Sequence, residues 1–158
     1  MLRISRKASV GLSLVMTVIF FAVIVAGAII MPSLVDTLID TQNNMISRKP
    51  VKSSDGRNLV LVVSYLVLAV AAVADVFLFL LLRRVRAGEV FTGRSVALIR
   101  GVSWCCILFG LLFAVLGYYF QLALAVGFAT LFLGVCLRVV KNVVEQAVEL
   151  KQENDLTV

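Results

Sequence analysis

Histidine is absent from the 158-residue chain, proline occurs twice, tryptophan once, and charged residues make up only 15%. Without an imidazole there is no ready general base, no activator for a serine or thiol nucleophile, and no nitrogen ligand for zinc. No glycine-rich phosphate loop and no Gly-x-Ser-x-Gly elbow occurs, and the apolar stretches hold no pair of carboxylates. These absences predict a protein that is not an enzyme. The scarcity of charge also excludes an ordinary soluble domain, which carries about 25% charged residues. Cysteine is sparse too, and the odd number argues against a disulfide framework. Cys105, Cys106 and Cys136 all lie in uncharged apolar segments, where small apolar packing is the expected role. No metal or cofactor is expected.

What the chain has is long apolar runs, with 61% of residues in the apolar set and a mean hydropathy of +1.06. A membrane core of about 30 Å is crossed by about 20 helical residues. The uncharged run from Ala8 to Val35 follows Arg3, Arg6 and Lys7. It far exceeds the roughly 7–15 apolar residues of a cleavable signal, so it reads as an uncleaved anchor. A first span over 9–31 ends at Pro32, and a second covers 59–82, interrupted only by Asp75. Gly101 to Leu137 is uncharged and long enough for two spans, 97–118 and 122–140, around a tight turn at Tyr118-Tyr119-Phe120-Gln121. Continuous rather than alternating apolar runs exclude a transmembrane barrel. The predicted fold is all-α: one polytopic membrane domain over 1–158 with four transmembrane helices.

Sorting the basic residues by side sets the orientation, because Lys and Arg concentrate in cytoplasmic loops. One side receives Arg3, Arg6, Lys7, Arg83, Arg84, Arg86, Arg94, Arg100, Arg138, Lys141 and Lys151; the other receives Arg48, Lys49, Lys52 and Arg57. Both termini are therefore expected in the cytoplasm, and the 33–58 loop outside it. The net charge of +6 is a topology signal rather than a sign of direct nucleic-acid binding. In the outer loop, Ser33 and Asp36 have capping-box spacing, and Leu34, Val35, Leu38 and Ile39 repeat with helical period. That pattern predicts a short helix on the membrane surface, followed by a polar connector.

Gly110, Ala114 and Gly117 share a face of the third span, and Ala123, Gly127 and Gly134 nearly align on the fourth. Small residues let helices approach closely in lipid, so these two form an antiparallel hairpin; a homo-oligomer through either face is the alternative. Asp75 is the one acid inside a span, and an intramembrane carboxylate normally meets a partner or a water-filled cavity. An Asp75–Arg100 pair joining the second and third helices, with Ser103 as an added donor, is the preferred reading. A proton or cation site in a transporter or immunity-type protein is the competing one.

On the inner face Gly88 closes the second helix and Thr92 caps the third, with Arg83, Arg84, Arg86 and Arg94 clustered around the 83–96 turn. Beyond residue 140 the apolar positions keep helical spacing, so the last helix continues as a cytoplasmic tail over 141–158. Glu145, Glu149 and Glu153 repel at i,i+4 unless a basic surface lies nearby, which the arginine cluster could supply. These groups, with Asp155, are candidates for docking a cytosolic protein; a solvated helix end with arginines near anionic lipid is the competing reading.

Arg86-Ala87-Gly88-Glu89-Val90-Phe91-Thr92, followed by Leu98-Ile99-Arg100, resembles the signature of the bacterial domain-of-unknown-function family 2975. The ending from Ala147 through Glu153, Asp155, Leu156, Thr157 and Val158 is similar to that family's ending. The resemblance implies a small four-helix protein of the bacterial cell membrane without an established activity. It also implies a cytosolic partner such as a small helix-turn-helix DNA-binding regulator. The acidic stretch would then offer charge complementarity to that regulator's basic surface.

Overall fold

The structure, a computed structural model, describes residues 6–44, 54–88 and 92–156. It contains four helices in order: α1 (Arg6–Asn44), α2 (Ser54–Arg86), α3 (Gly93–Leu116) and α4 (Gln121–Leu156). All four are long and apolar enough to cross a membrane, and the protein is a multi-pass membrane protein in contact with the bilayer. Successive helices run antiparallel. Among the described residues, only helices consecutive in the chain bring their backbones together: α1 with α2, α2 with α3, and most extensively α3 with α4. The helices form a row rather than a closed bundle.

Pro32 does not end the first helix. It lies inside α1, which runs on for twelve residues to Asn44. Proline has no N–H, so the Ala28 carbonyl loses its intrahelical donor. The Tyr65 hydroxyl of α2 donates to that carbonyl at 3.3 Å, and a neighbouring helix that re-satisfies the freed group lets a membrane helix continue. Beyond the proline, Thr37 and Thr41 donate to the carbonyls of Ser33 and Thr37. Tyr65→Phe is expected to lower stability by about 0.6 kcal/mol, the typical worth of an interhelical membrane hydrogen bond. An unfolding midpoint in detergent identical to wild type would show that the carbonyl needs no such donor.

The expected surface helix at 33–39 is instead the second half of α1. Val35 and Ile39 are buried against Val60, Val63 and Val67 of α2, in a core that also takes in Leu116 and Ala123. The physical reason is the partner. Periodicity showed an apolar stripe, and α2, which begins at Ser54 rather than near 59, extends far enough to cover it. The expected 33–58 loop therefore contracts, and 45–53 lie outside the described residues.

At the other end of α2, Gly88 adopts φ +84°, a conformation glycine enters without steric cost. The Ala87 and Gly88 N–H groups donate to the carbonyls of Arg83 and Val85. The Thr92 side chain accepts from the Ser95 N–H and caps α3. Between α3 and α4 the chain turns where the tyrosines predicted, with Gly117 as the C-cap of α3. The two helices pack through their glycines: a Cβ placed on Gly110 would lie 2.8 Å from the Gly127 carbonyl oxygen. α4 has 36 residues, about 54 Å of helix, well beyond the hydrocarbon thickness.

Candidate functional site

Polar side chains gather at two places. The first is the end of the row formed by the N-terminal half of α3 and the C-terminal half of α4, called here the basic end. Arg100 and Arg138 mark the level at which the uncharged stretch between them begins and ends. Because α3 and α4 are antiparallel, that single stretch brings both arginines to the same height.

A cavity of about 240 Å³ opens between the two helices, lined by Arg100, Ser103, Trp104, Arg138, Lys141 and Asn142. The Arg138 guanidinium lies 4.4 Å from the centre of the Trp104 ring, within cation–π range. Arg100 meets Glu145 at 3.6 Å, and Lys141, one helical turn before Glu145, donates to the same carboxylate. Glu145 lies beyond the apolar stretch of α4. The Lys141 hydrogen bond holds its carboxyl below the ordinary range; partial burial opposes this, and the charges of Lys141 and Arg100 lower it further. Glu145 is thus compensated by Arg100 and Lys141 rather than by the arginine cluster of the 83–96 turn expected to supply the basic surface.

The second place is Asp75, only 6% exposed, on the side of α2 that faces α1. It lines a cavity of about 260 Å³ with Thr17, Val18, Phe21, Val76 and Phe79. Thr17, also buried, gives its hydroxyl proton to the Leu14 carbonyl at 2.8 Å. The expected Asp75–Arg100 pair does not form, and among the described residues Asp75 has no ion-pair or hydrogen-bond partner. Helix geometry explains this. Phe77 is an α2 residue that meets α3, its ring lying 2.9 Å from a Cβ built on Gly101. Two residues along a helix rotate the side chain by about 200°, which turns Asp75 toward α1. Ser103 is not a donor to that pair either; its hydroxyl donates to the buried Gly134 carbonyl at 2.8 Å and ties α3 to α4.

The remaining docking candidates stay apart from this cavity. Arg83, Arg86 and Arg94 are exposed around the α2–α3 turn, and Arg84 is half-buried. Glu149 and Glu153 are exposed on α4. Asp155 lies in the last turn of α4, its side chain outside those described.

One pair escaped the sequence reading altogether. At the opposite end of α1 and α2, one edge of the Arg57 guanidinium donates to both carboxylate oxygens of Asp36, Nε–Oδ1 at 2.6 Å and Nη2–Oδ2 at 2.9 Å. The available signal was position: Asp36 is the first acid after the apolar run of α1, and Arg57 the last base before that of α2. Reading Asp36 as part of a capping box hid it.

No curated protein and no solved structure matches the chain. The family model described as "Protein of unknown function (DUF2975)" matches residues 39–158, from the end of α1 through α4. The matched stretch includes Asp75, Arg100, Arg138, Lys141 and Glu145, whereas Thr17, Phe21 and Asp36 precede it. With most of its length so matched, the chain belongs to the DUF2975 family of proteins of unknown function.

Proposed function

We propose that the protein is a non-enzymatic membrane protein that docks a cytosolic partner on the projecting part of α4, with both termini in the cytoplasm of a bacterial cell. The observation that carries this reading is the exposed acidic face of α4 beyond Glu145. Glu145 is engaged by Arg100 and Lys141, while Glu149 and Glu153 are exposed on a helix that outruns the membrane. Like charges spaced i,i+4 cost about 0.2–0.5 kcal/mol, so a basic partner would gain from meeting this exposed acidic face. A small DNA-binding regulator has such a surface and is the partner class that best fits the charge. The test is deletion of 146–158 followed by capture from detergent-solubilised membranes. A regulator present with the full chain and lost with the deletion supports the docking role. Equal recovery with both removes it.

A second reading follows from the Asp75 cavity: a buried carboxylate without a partner among the described residues, beside a cavity in the apolar part of the helix row, is the arrangement expected of a proton or cation site. Liposomes containing the protein would then show a cation or proton flux that Asp75→Leu abolishes. Equal flux from the variant excludes the reading.

A further inference from the structure

The cavity between α3 and α4 is not used by the docking proposal, and its chemistry points to a ligand of its own. We propose that it binds the phosphate group of an anionic phospholipid. Arg100, Arg138 and Lys141 bring three cationic groups to it against the single carboxylate of Glu145. Glu145 occupies Arg100 and Lys141 only in part, and among the described residues Arg138 is held by the Trp104 ring rather than by an acid. A ring contact fixes the guanidinium while leaving its N–H edge for an anion, and that edge matches phosphate oxygens. The Asn142 amide adds a further donor at the rim.

The height of the cavity selects lipid over other sources of phosphate. Its two arginines bound the uncharged stretch of α3 and α4, which places it at the level of the headgroups. Directly above it, on the apolar side, Trp104, Leu108 and Val135 are exposed and offer a path for acyl chains. Ser103, whose proton is committed to Gly134, closes the floor. Basic pockets between membrane helices commonly take such headgroups.

The experiment uses the full chain in nanodiscs of phosphatidylcholine with a minor fraction of phosphatidylglycerol, and measures the phosphatidylglycerol that stays bound after transfer to mild detergent. Arg138→Gln is expected to reduce retention about fivefold, the effect of removing one cation near a membrane surface. Lys151→Gln removes one exposed charge of the same sign farther along α4 and is expected to leave retention unchanged. Helix content, followed by circular dichroism, verifies that Arg138→Gln is folded. A parallel arm adds inorganic phosphate to lipid-free protein and records protection against heat. Protection by phosphatidylglycerol but not by phosphate supports the lipid as source. Equal protection by free phosphate reassigns the site to a soluble phosphate compound. Equal lipid retention by wild type and Arg138→Gln, or equal losses with Lys151→Gln, overturns the proposal.

Discussion

Gly110→Leu is expected to force α3 away from α4 and to cost about 3 kcal/mol, the upper part of the overpacking range. A Cβ at this position would lie 2.5 Å from the Leu131 Cγ and 2.8 Å from the Gly127 carbonyl oxygen. The Leu131 side chain can swing aside. The carbonyl cannot, because it belongs to the α4 backbone and moves only with the helix. The contact is reciprocal, since a Cβ on Gly127 would lie 3.0 Å from the Gly110 carbonyl oxygen. Adding Leu131→Ala to Gly110→Ala should therefore recover only part of the lost stability. The measurement is the unfolding midpoint in detergent, followed through the fluorescence of Trp104, the only tryptophan. A midpoint unchanged by Gly110→Leu would mean that α3 and α4 do not approach as closely as the structure has them.

Asp75→Leu is expected to act in the opposite direction and stabilise the protein. An aspartate at the centre of a membrane helix costs about 2.5–3.5 kcal/mol on insertion scales, whereas leucine is favourable by a few tenths, about 0.3–0.6. If Asp75 were paired with Arg100, removing it would strand a cation and destabilise the fold. The structure has Arg100 on Glu145 instead, so nothing among the described residues is left behind by the change. A gain of about 4 kcal/mol is the upper limit, reduced to the extent that Asp75 is protonated or hydrated. A net loss of stability would show that Asp75 has a partner within the protein. A gain accompanied by loss of flux is the signature of a group kept at a cost in stability because the protein uses it.

The four helices and the α3–α4 turn were legible because they rest on terms that are local in sequence. Uninterrupted apolar length decides that a segment spans, and Tyr118-Tyr119 with Gly117 decides where it turns. Gly88 and Thr92 were likewise readable, since a cap is built from adjacent residues. What could not be read depends on contacts across helices. The passage of α1 through Pro32 needs Tyr65, more than thirty residues away, to take up the Ala28 carbonyl. The partner of Arg100 depended on the rotation of α2, and Phe77 rather than Asp75 won the face toward α3. At the basic end the individual residues were all visible. Their convergence was not, because the seating of Arg138 on the Trp104 ring joins residues 34 positions apart on two helices.

The single-file arrangement has a consequence for how the protein is made. Among the described residues, every close backbone approach joins a helix to the one synthesised just before it, so no helix must wait for a distant one to emerge. α1 and α2 can pair while α3 is still being translated, and α4 completes the structure by folding back on α3. Stability then divides into contributions from neighbouring pairs, as in linear repeat proteins. The low sequence separation of the contacts favours rapid assembly. On that basis, truncation after α2 should leave an inserted helical pair, whereas loss of α1 should leave α3 and α4 still joined.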